Sequence, residues 1–140
     1  MDLPKSLPKI LPGNIWSQDP HRAVFTNPTE IAYFRGTLKH HYPVWFKERE
    51  YKDAEHAYKD NKPEYKDYYK LCTEIIIAKF ECYPFLADTI EMNGGEDWIK
   101  ACSHHVYGKS KFWEGDGLKS GFIRCLLIAY QTIQSRKNSK

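Results

Sequence analysis

Between Phe122 and Ile133 the large apolar residues fall at Phe122, Leu126, Tyr130 and Ile133, with Ile123 and Leu127 alongside them. Steps of four and three bring a helix back to the same side at each turn, so these residues form one broad apolar stripe. A helix with that stripe must be covered, and we expect it to pack at the centre of the fold. Its tail, Ser135 to Lys140, is polar and basic and is expected to fray.

The other elements follow from similar signals. Leu71, Ile75, Ala78 and Cys82 recur at four, three and four, which predicts a helix with a core stripe. Pro84 suits the first turn of a next helix carrying Phe85, Leu86, Thr89 and Ile90, stopped by Asn93-Gly94-Gly95. Trp98, Ile99 and Cys102 mark a further short helix. His41 to Phe46 is aromatic and β-favouring, and Lys47 to Glu50 reads as a polar turn before Tyr51, so a small hairpin is expected there. From Ala23 to Gly36 the signals conflict: Asn27-Pro28 with Glu30 resembles a helix start, whereas Ile31 to Phe34 also suits a short strand. The sum is a mainly α-helical α+β fold with a minor strand or hairpin element.

At 140 residues, one compact domain is expected. Pro4, Pro8, Pro12 and Pro20 make residues 1–20 an arm rather than core, with Ile10, Leu11, Ile15 and Trp16 available to pin it. The domain proper would be 21–134 and the basic tail 135–140. Cys72, Cys82, Cys102 and Cys125 show no C-x-x-C pairing and fall in or beside apolar segments, which reads as reduced core cysteine in a reducing compartment. No apolar run is long enough to cross a bilayer and no secretory h-region opens the chain, so a cytoplasmic protein is expected.

Tyr51 to Lys62 is the stretch with the densest chemistry. Asp53 is a favoured N-cap, which sets Glu55 in the first turn of a helix, near the positive end of its dipole. Glu55 is therefore expected to stay ionised and to suit a general base or an anion facing a developing cation. Tyr58, Lys59 and Lys62 share its face. Ten tyrosines and four tryptophans exceed what a small core needs, so some rings should line a pocket.

The second such stretch is Ser103 to Gly117, a loop by its glycines and polar residues, yet holding His104, His105, Tyr107, Phe112 and Trp113. Tyr107 and Trp113 can stack on a base or cover a ribose, while glycine lets backbone approach a ligand. A nucleotide-like ligand suits it. The formal charge of +3 allows a phosphate-bearing ligand but is far from the basic stripe of a dedicated nucleic-acid binder. His40-His41 and His104-His105 lack the i, i+4 spacing of a zinc helix, so no metal and no other cofactor is expected. No cysteine has an evident activator, and no Walker or Rossmann glycine loop is present.

Tyr42-Pro43, Tyr51 with Ala54-Glu55-His56-Ala57-Tyr58 and Lys62, Ile77-Ala78-Lys79-Phe80 with Pro84 and Leu86, then Tyr107-Gly108 and Trp113-x-Gly115, together resemble the NADAR superfamily. The resemblance runs from about Tyr42 to Ile133. It implies a compact, mostly helical fold that cleaves N-glycosidic bonds to ribose. Members include an enzyme that processes phosphorylated riboflavin-pathway intermediates and others that remove ADP-ribose from guanine. By resemblance, Glu55 is the catalytic carboxylate, Tyr107 and Trp113 line the nucleotide pocket beside Tyr58, and Lys62 fixes the helix or the phosphates.

The chain departs from the family's pattern in three places. His104 stands where an aspartate is expected before the aromatic-Gly pair, Gly117 where an asparagine follows Trp-x-Gly, and Lys39-His40-His41-Tyr42 where a Leu-Ser-Asn-Phe loop precedes the hairpin. A second acidic role would then fall to Asp116, to Glu114 or to protonated His104. The expected reaction is hydrolysis of a ribosyl C–N bond, with ADP-ribosylated nucleotide or DNA as substrate. A carboxylate stabilises the oxocarbenium-like state and activates water. The alternative is a module that binds ADP-ribose, another nucleotide or single-stranded nucleic acid without turnover.

Overall fold

The computed structural model describes Leu3, Leu7 and residues 9–108 and 110–139. It is a mainly helical α+β fold. Among the described residues there are six α-helices: α1 Thr29–Phe34, α2 Ala54–Asn61, α3 Tyr68–Cys82, α4 Pro84–Met92, α5 Glu96–Lys100 and α6 Gly121–Asn138. Two small antiparallel ribbons accompany them: β1 Val44–Phe46 with β2 Arg49–Tyr51, and β3 Ser103–His104 with β4 Gly115–Asp116.

α6 is central, as its stripe requires. Phe122, Ile123, Leu126, Leu127 and Tyr130 are buried, facing α3 and α5. The helix is capped by Ser120, whose hydroxyl accepts the Ile123 N–H at 3.1 Å, satisfying one of the four donors a helix start leaves open. At its far end the helix does not fray where expected: it runs through Asn138, with Arg136 3.3 Å from Glu81 and Lys137 bridging Asp88 and Glu91. Cations in the last turn also complement the dipole. Lys140 lies outside the described residues.

α3 buries a wider face than its fourfold spacing suggests. Leu71, Cys72, Ile75, Ile76, Lys79 and Phe80 are inside, Ala78 is half-buried and Cys82 is exposed at the helix end. Cys82 is therefore not a core cysteine, whereas Cys72, Cys102 and Cys125 are. One side of α3 faces α6. The other carries a second, smaller core of Val44, Phe46, Ala54, Ala57, Leu71 and Ile75 under the hairpin and α2. Tyr58 touches both cores.

Three local readings are settled by backbone geometry. The ambiguous segment is the helix α1, which starts straight after Pro28. The first hairpin is tighter than expected: only Lys47 and Glu48 form the turn, at φ +50° and +65°, and Arg49 and Glu50 belong to the strand. Two consecutive left-handed residues make a type I′ turn, whose twist matches the strands but which favours Asn and Gly. Thirdly, the part of the N-terminal segment from Lys9 on is no arm. Ile10 and Ile15 are buried, Ile10 is held by Asn93 and Trp98, and Gly13 to Ile15 run beside Ser103. The prolines at 4 and 8 lie outside the described residues.

No helix among the described residues is long and apolar enough to cross a membrane.

Candidate active site

A cleft of about 310 Å³ opens where α2, α3, the N-terminus of α6 and two connecting segments meet. Asp53 builds its first wall. One carboxylate oxygen accepts the His56 N–H at 2.9 Å, capping α2, and the other accepts the Glu30 N–H at 2.9 Å, tying α1 to it. The next turn presents Glu55 and Tyr58 to the cleft.

Glu55 is half-buried, and among the described residues its carboxylate meets only Lys59, at 3.9 Å. Burial raises its pKa above the ordinary carboxylate range; Lys59 pulls the other way, and Asp53 adds to the rise. This differs from the expectation that the helix dipole keeps Glu55 ionised. The cleft removes water from the carboxylate and leaves it without close donors, so a proton on it becomes easier to keep.

The opposite wall is the excursion between β3 and β4. Trp113 is half-buried, edge-on to Tyr58 with centroids 6.0 Å apart, and backed by Tyr69 and Phe112. Two features seat it. The Ser120 hydroxyl that caps α6 donates to the Trp113 carbonyl, and the Gly121 N–H donates to the Phe112 carbonyl at 3.0 Å. A β-carbon at Gly121 would stand 2.3 Å from that carbonyl oxygen, so only glycine lets the Trp113 segment lie on the helix start.

His104 also faces the cleft. Its Nδ1 donates to the Ile15 carbonyl at 2.7 Å and its ring lies on Phe122, with centroids 4.5 Å apart. Burial lowers its pKa, the Ile15 carbonyl only partly opposing this. Burial thus favours the neutral imidazole, with Nε2 as an acceptor, over the protonated His104 considered above as an acid.

Glu114 lines the rim but is already engaged. Its Oε1 accepts the N–H groups of Val106 and Tyr107 at 2.7 and 2.8 Å, and its Oε2 those of Gly108 and Ser110 at 3.0 and 3.2 Å. Burial acts to raise its pKa, but these four donors outweigh it and hold the carboxyl low. A carboxylate so occupied folds the loop around itself and has no lone pair to spare as acid or base.

The remaining sequence-derived residues lie off the cleft wall. Tyr107, at φ +60°, is 78% exposed and turns its ring toward Trp16 rather than inward. Asp116 is exposed and pairs with His105 at 2.8 Å. Lys62 sits at the end of α2 with its Nζ over the Tyr58 and Tyr68 rings, outside the cleft lining but near enough for its charge to act on Glu55. The structure thus brings Glu55, Tyr58, His104 and Trp113 together and leaves Lys62, Tyr107 and Asp116 outside.

Sequence reasoning missed the floor and one rim. Cys72 and Phe122 close the bottom, and Thr26, Asn27 and Pro28 close the side before α1. The Asn27 carbonyl accepts the Glu55 N–H at 3.2 Å, and its side-chain oxygen is buried without a partner among the described residues. The one signal available was Asn27-Pro28 as a chain-turning pair. No three His, Cys, Asp or Glu side chains among the described residues are grouped to hold a metal ion.

No family model matches the chain, and no curated protein or solved structure is significantly similar to it.

Proposed function

We propose that the protein is an N-glycosidase that hydrolyses a ribosyl C–N bond, removing ADP-ribose from modified guanine in a nucleotide or in DNA. The observation that carries this reading is Glu55. It is a half-buried carboxylate without a close donor among the described residues, and it opens into a cleft walled by the rings of Tyr58, Trp113 and Phe122. In its ionised form, a half-buried carboxylate in an aromatic cleft favours a cationic transition state more than a neutral ground state, which is what oxocarbenium formation demands. Glu55 would face the anomeric carbon and take the proton of the attacking water; Trp113 and Tyr58 would hold the ribosyl–base part by their faces and edges. At about 310 Å³ the cleft is at the small end of ligand sites, so the rest of the ligand would run out over the rim.

A second reading, ligand binding without turnover, draws support from one observation. Glu114 is saturated and His104 is neutral, so Glu55 is the one carboxylate with free lone pairs among the described cleft residues. The test is to incubate the protein with ADP-ribosylated guanine nucleotide and with ADP-ribosylated DNA and to follow free ADP-ribose by mass spectrometry. Release that is lost in Glu55→Gln supports the glycosidase; saturable binding with no release supports the reader.

A further inference from the structure

Among the described residues three buried side-chain oxygens have no hydrogen-bond partner: Asn27 Oδ1, Thr29 Oγ1 and Gln134 Oε1. Only the first belongs to a residue that lines the cleft. Asn27 is 8% exposed, and an acceptor shut away from water without a donor works against folding, so its place in the wall calls for another reason.

The residue is fixed at its backbone and loose at its tip. Its carbonyl accepts the Glu55 N–H at 3.2 Å and the Thr29 N–H at 2.9 Å, and the Thr26 carbonyl before it is held by Lys79 at 2.6 Å. The side-chain amide has one bond among the described residues, from Nδ2 to Cys72 Sγ at 3.7 Å, and sulfur is a weak acceptor. The last torsion of an asparagine is broad, so the amide oxygen turns onto a ligand at little cost.

Two further cleft groups have the same sense. The Glu55 carboxylate accepts, and His104, with Nδ1 given to the Ile15 carbonyl, offers Nε2 as an acceptor. The hydroxyls of Thr26, Tyr58 and Ser110 can act either way. No lysine or arginine is among the described residues that line the cleft, and the four N–H groups gathered at its rim are spent on Glu114. A phosphate placed here would meet lone pairs and the charge of Glu55, whereas a group with several O–H donors would meet partners.

We propose that Asn27 sets the sugar specificity of the cleft: its Oδ1 accepts the 2-hydroxyl of the ribosyl group, so the cleft takes a ribose by its hydroxyls, rejects a 2-deoxyribose and leaves the phosphates outside. Asn27 is bonded through its carbonyl to the Glu55 N–H and so shares the Glu55 wall, with Trp113 on the wall opposite. A sugar whose anomeric carbon faces Glu55 offers this wall the hydroxyl on the next carbon and turns its base toward Trp113. That orientation rests on the glycosidase reading. As the ring gains positive charge the 2-hydroxyl becomes a better donor, and its bond to Asn27 tightens in the transition state.

The full chain is titrated by calorimetry with ADP-ribose, with the analogue that lacks the 2-hydroxyl of the terminal ribose, and with ADP. Wild type should bind ADP-ribose about thirtyfold more tightly than either of the others. Asn27→Leu, which fills similar space without the amide, should bind ADP-ribose about thirtyfold more weakly than wild type does and no better than it binds the analogue, with unchanged circular dichroism. Asn27→Ala should lose the preference likewise, and the wild-type comparison needs neither variant to fold. Equal binding of ADP-ribose and the analogue by wild type overturns the proposal. So does a preference that both variants keep, ADP bound as tightly as ADP-ribose, or no binding of ADP-ribose. Release of ADP-ribose from modified guanine, followed in parallel, separates the two readings. A preference lost in the Asn27 variants with no release by wild type removes the glycosidase and keeps the sugar site. Release that needs Glu55, with ADP-ribose and the analogue bound equally, keeps the glycosidase and removes the role of Asn27.

Discussion

The amine of Lys79, 2% exposed in the last turn of α3, donates to the carbonyl oxygen of Thr26 at 2.6 Å. One buried lysine thereby holds the segment that forms the side rim of the cleft. Burial lowers its pKa to about 7, with Asp53 acting the other way.

From about pH 7 up to the ordinary lysine value near 10.5, the unfolded chain carries a proton on Lys79 that the folded chain lacks. Stability should therefore rise with pH across that window and level off above it. Lys79→Met should remove this slope. Near pH 6.5 the variant should equal or exceed wild type; near pH 10, where only the bond to Thr26 is lost, it should be less stable by about 1–3 kcal/mol. Urea midpoints measured over the window check this, and parallel curves for the two proteins would reject it.

On the glycosidase reading, hydrolysis should fall as pH falls through a carboxyl value above the ordinary range, because that reading needs Glu55 ionised and burial makes the ionised form harder to keep. Glu55→Gln should fold normally and lose on the order of a thousandfold in kcat. Removing the cation in Lys59→Gln should move the acid limb to still higher pH. A limb unmoved by that change would mean that Glu55 is not the group that titrates.

Glu114→Gln leaves one acceptor oxygen where four N–H groups converge. Hydrogen exchange at Val106, Tyr107, Gly108 and Ser110 should speed up by roughly tenfold, as expected for about 1.4 kcal/mol of lost local protection. Wild type should show the same loosening in acid. A carboxyl held low stabilises the loop above its unfolded value, and this is lost as pH falls through the folded one. Exchange rates that match wild type would show that the loop is held by something else.

Glu48 sits at φ +65° in the hairpin turn, where a β-carbon is strained. Glu48→Gly should stabilise the protein by about 0.5–1 kcal/mol, raising Tm by roughly 2–3 °C. A fall in Tm would show that the side chain matters more than the backbone.

What was legible in the sequence were the features with a period or a cap. The α6 stripe, the Asp53 cap and the Pro84 start each follow from a local rule, and each stands where the rule puts it. Glu55, Tyr58, His104 and Trp113 were visible as reactive or aromatic side chains near a helix start and in a loop. Thr26 to Pro28 and Cys72 were not, because nothing local marks a segment whose role is to be bonded by a lysine 53 residues away. Tyr107 and Asp116 were misplaced for a related reason. In a loop folded around Glu114, adjacent residues point in unrelated directions, and no spacing encodes which of them face the cleft. Cys82 failed because a stripe continues on paper past the point where its neighbours end.

The bond from His104 to the Ile15 carbonyl spans 89 residues of sequence and decides which ring nitrogen keeps its hydrogen. The imidazole's lone pair is aimed by a stretch of chain that lies behind the loop wall, against His105 and Tyr107, and lines none of the cleft itself. Trimming the protein back to residue 21 would remove no helical residue, yet it would take away this acceptor together with the buried Ile10 and Ile15 that pack against α4 and α5. The segment around Ile15 is in effect the hinge pin of a side chain whose chemistry is spent elsewhere.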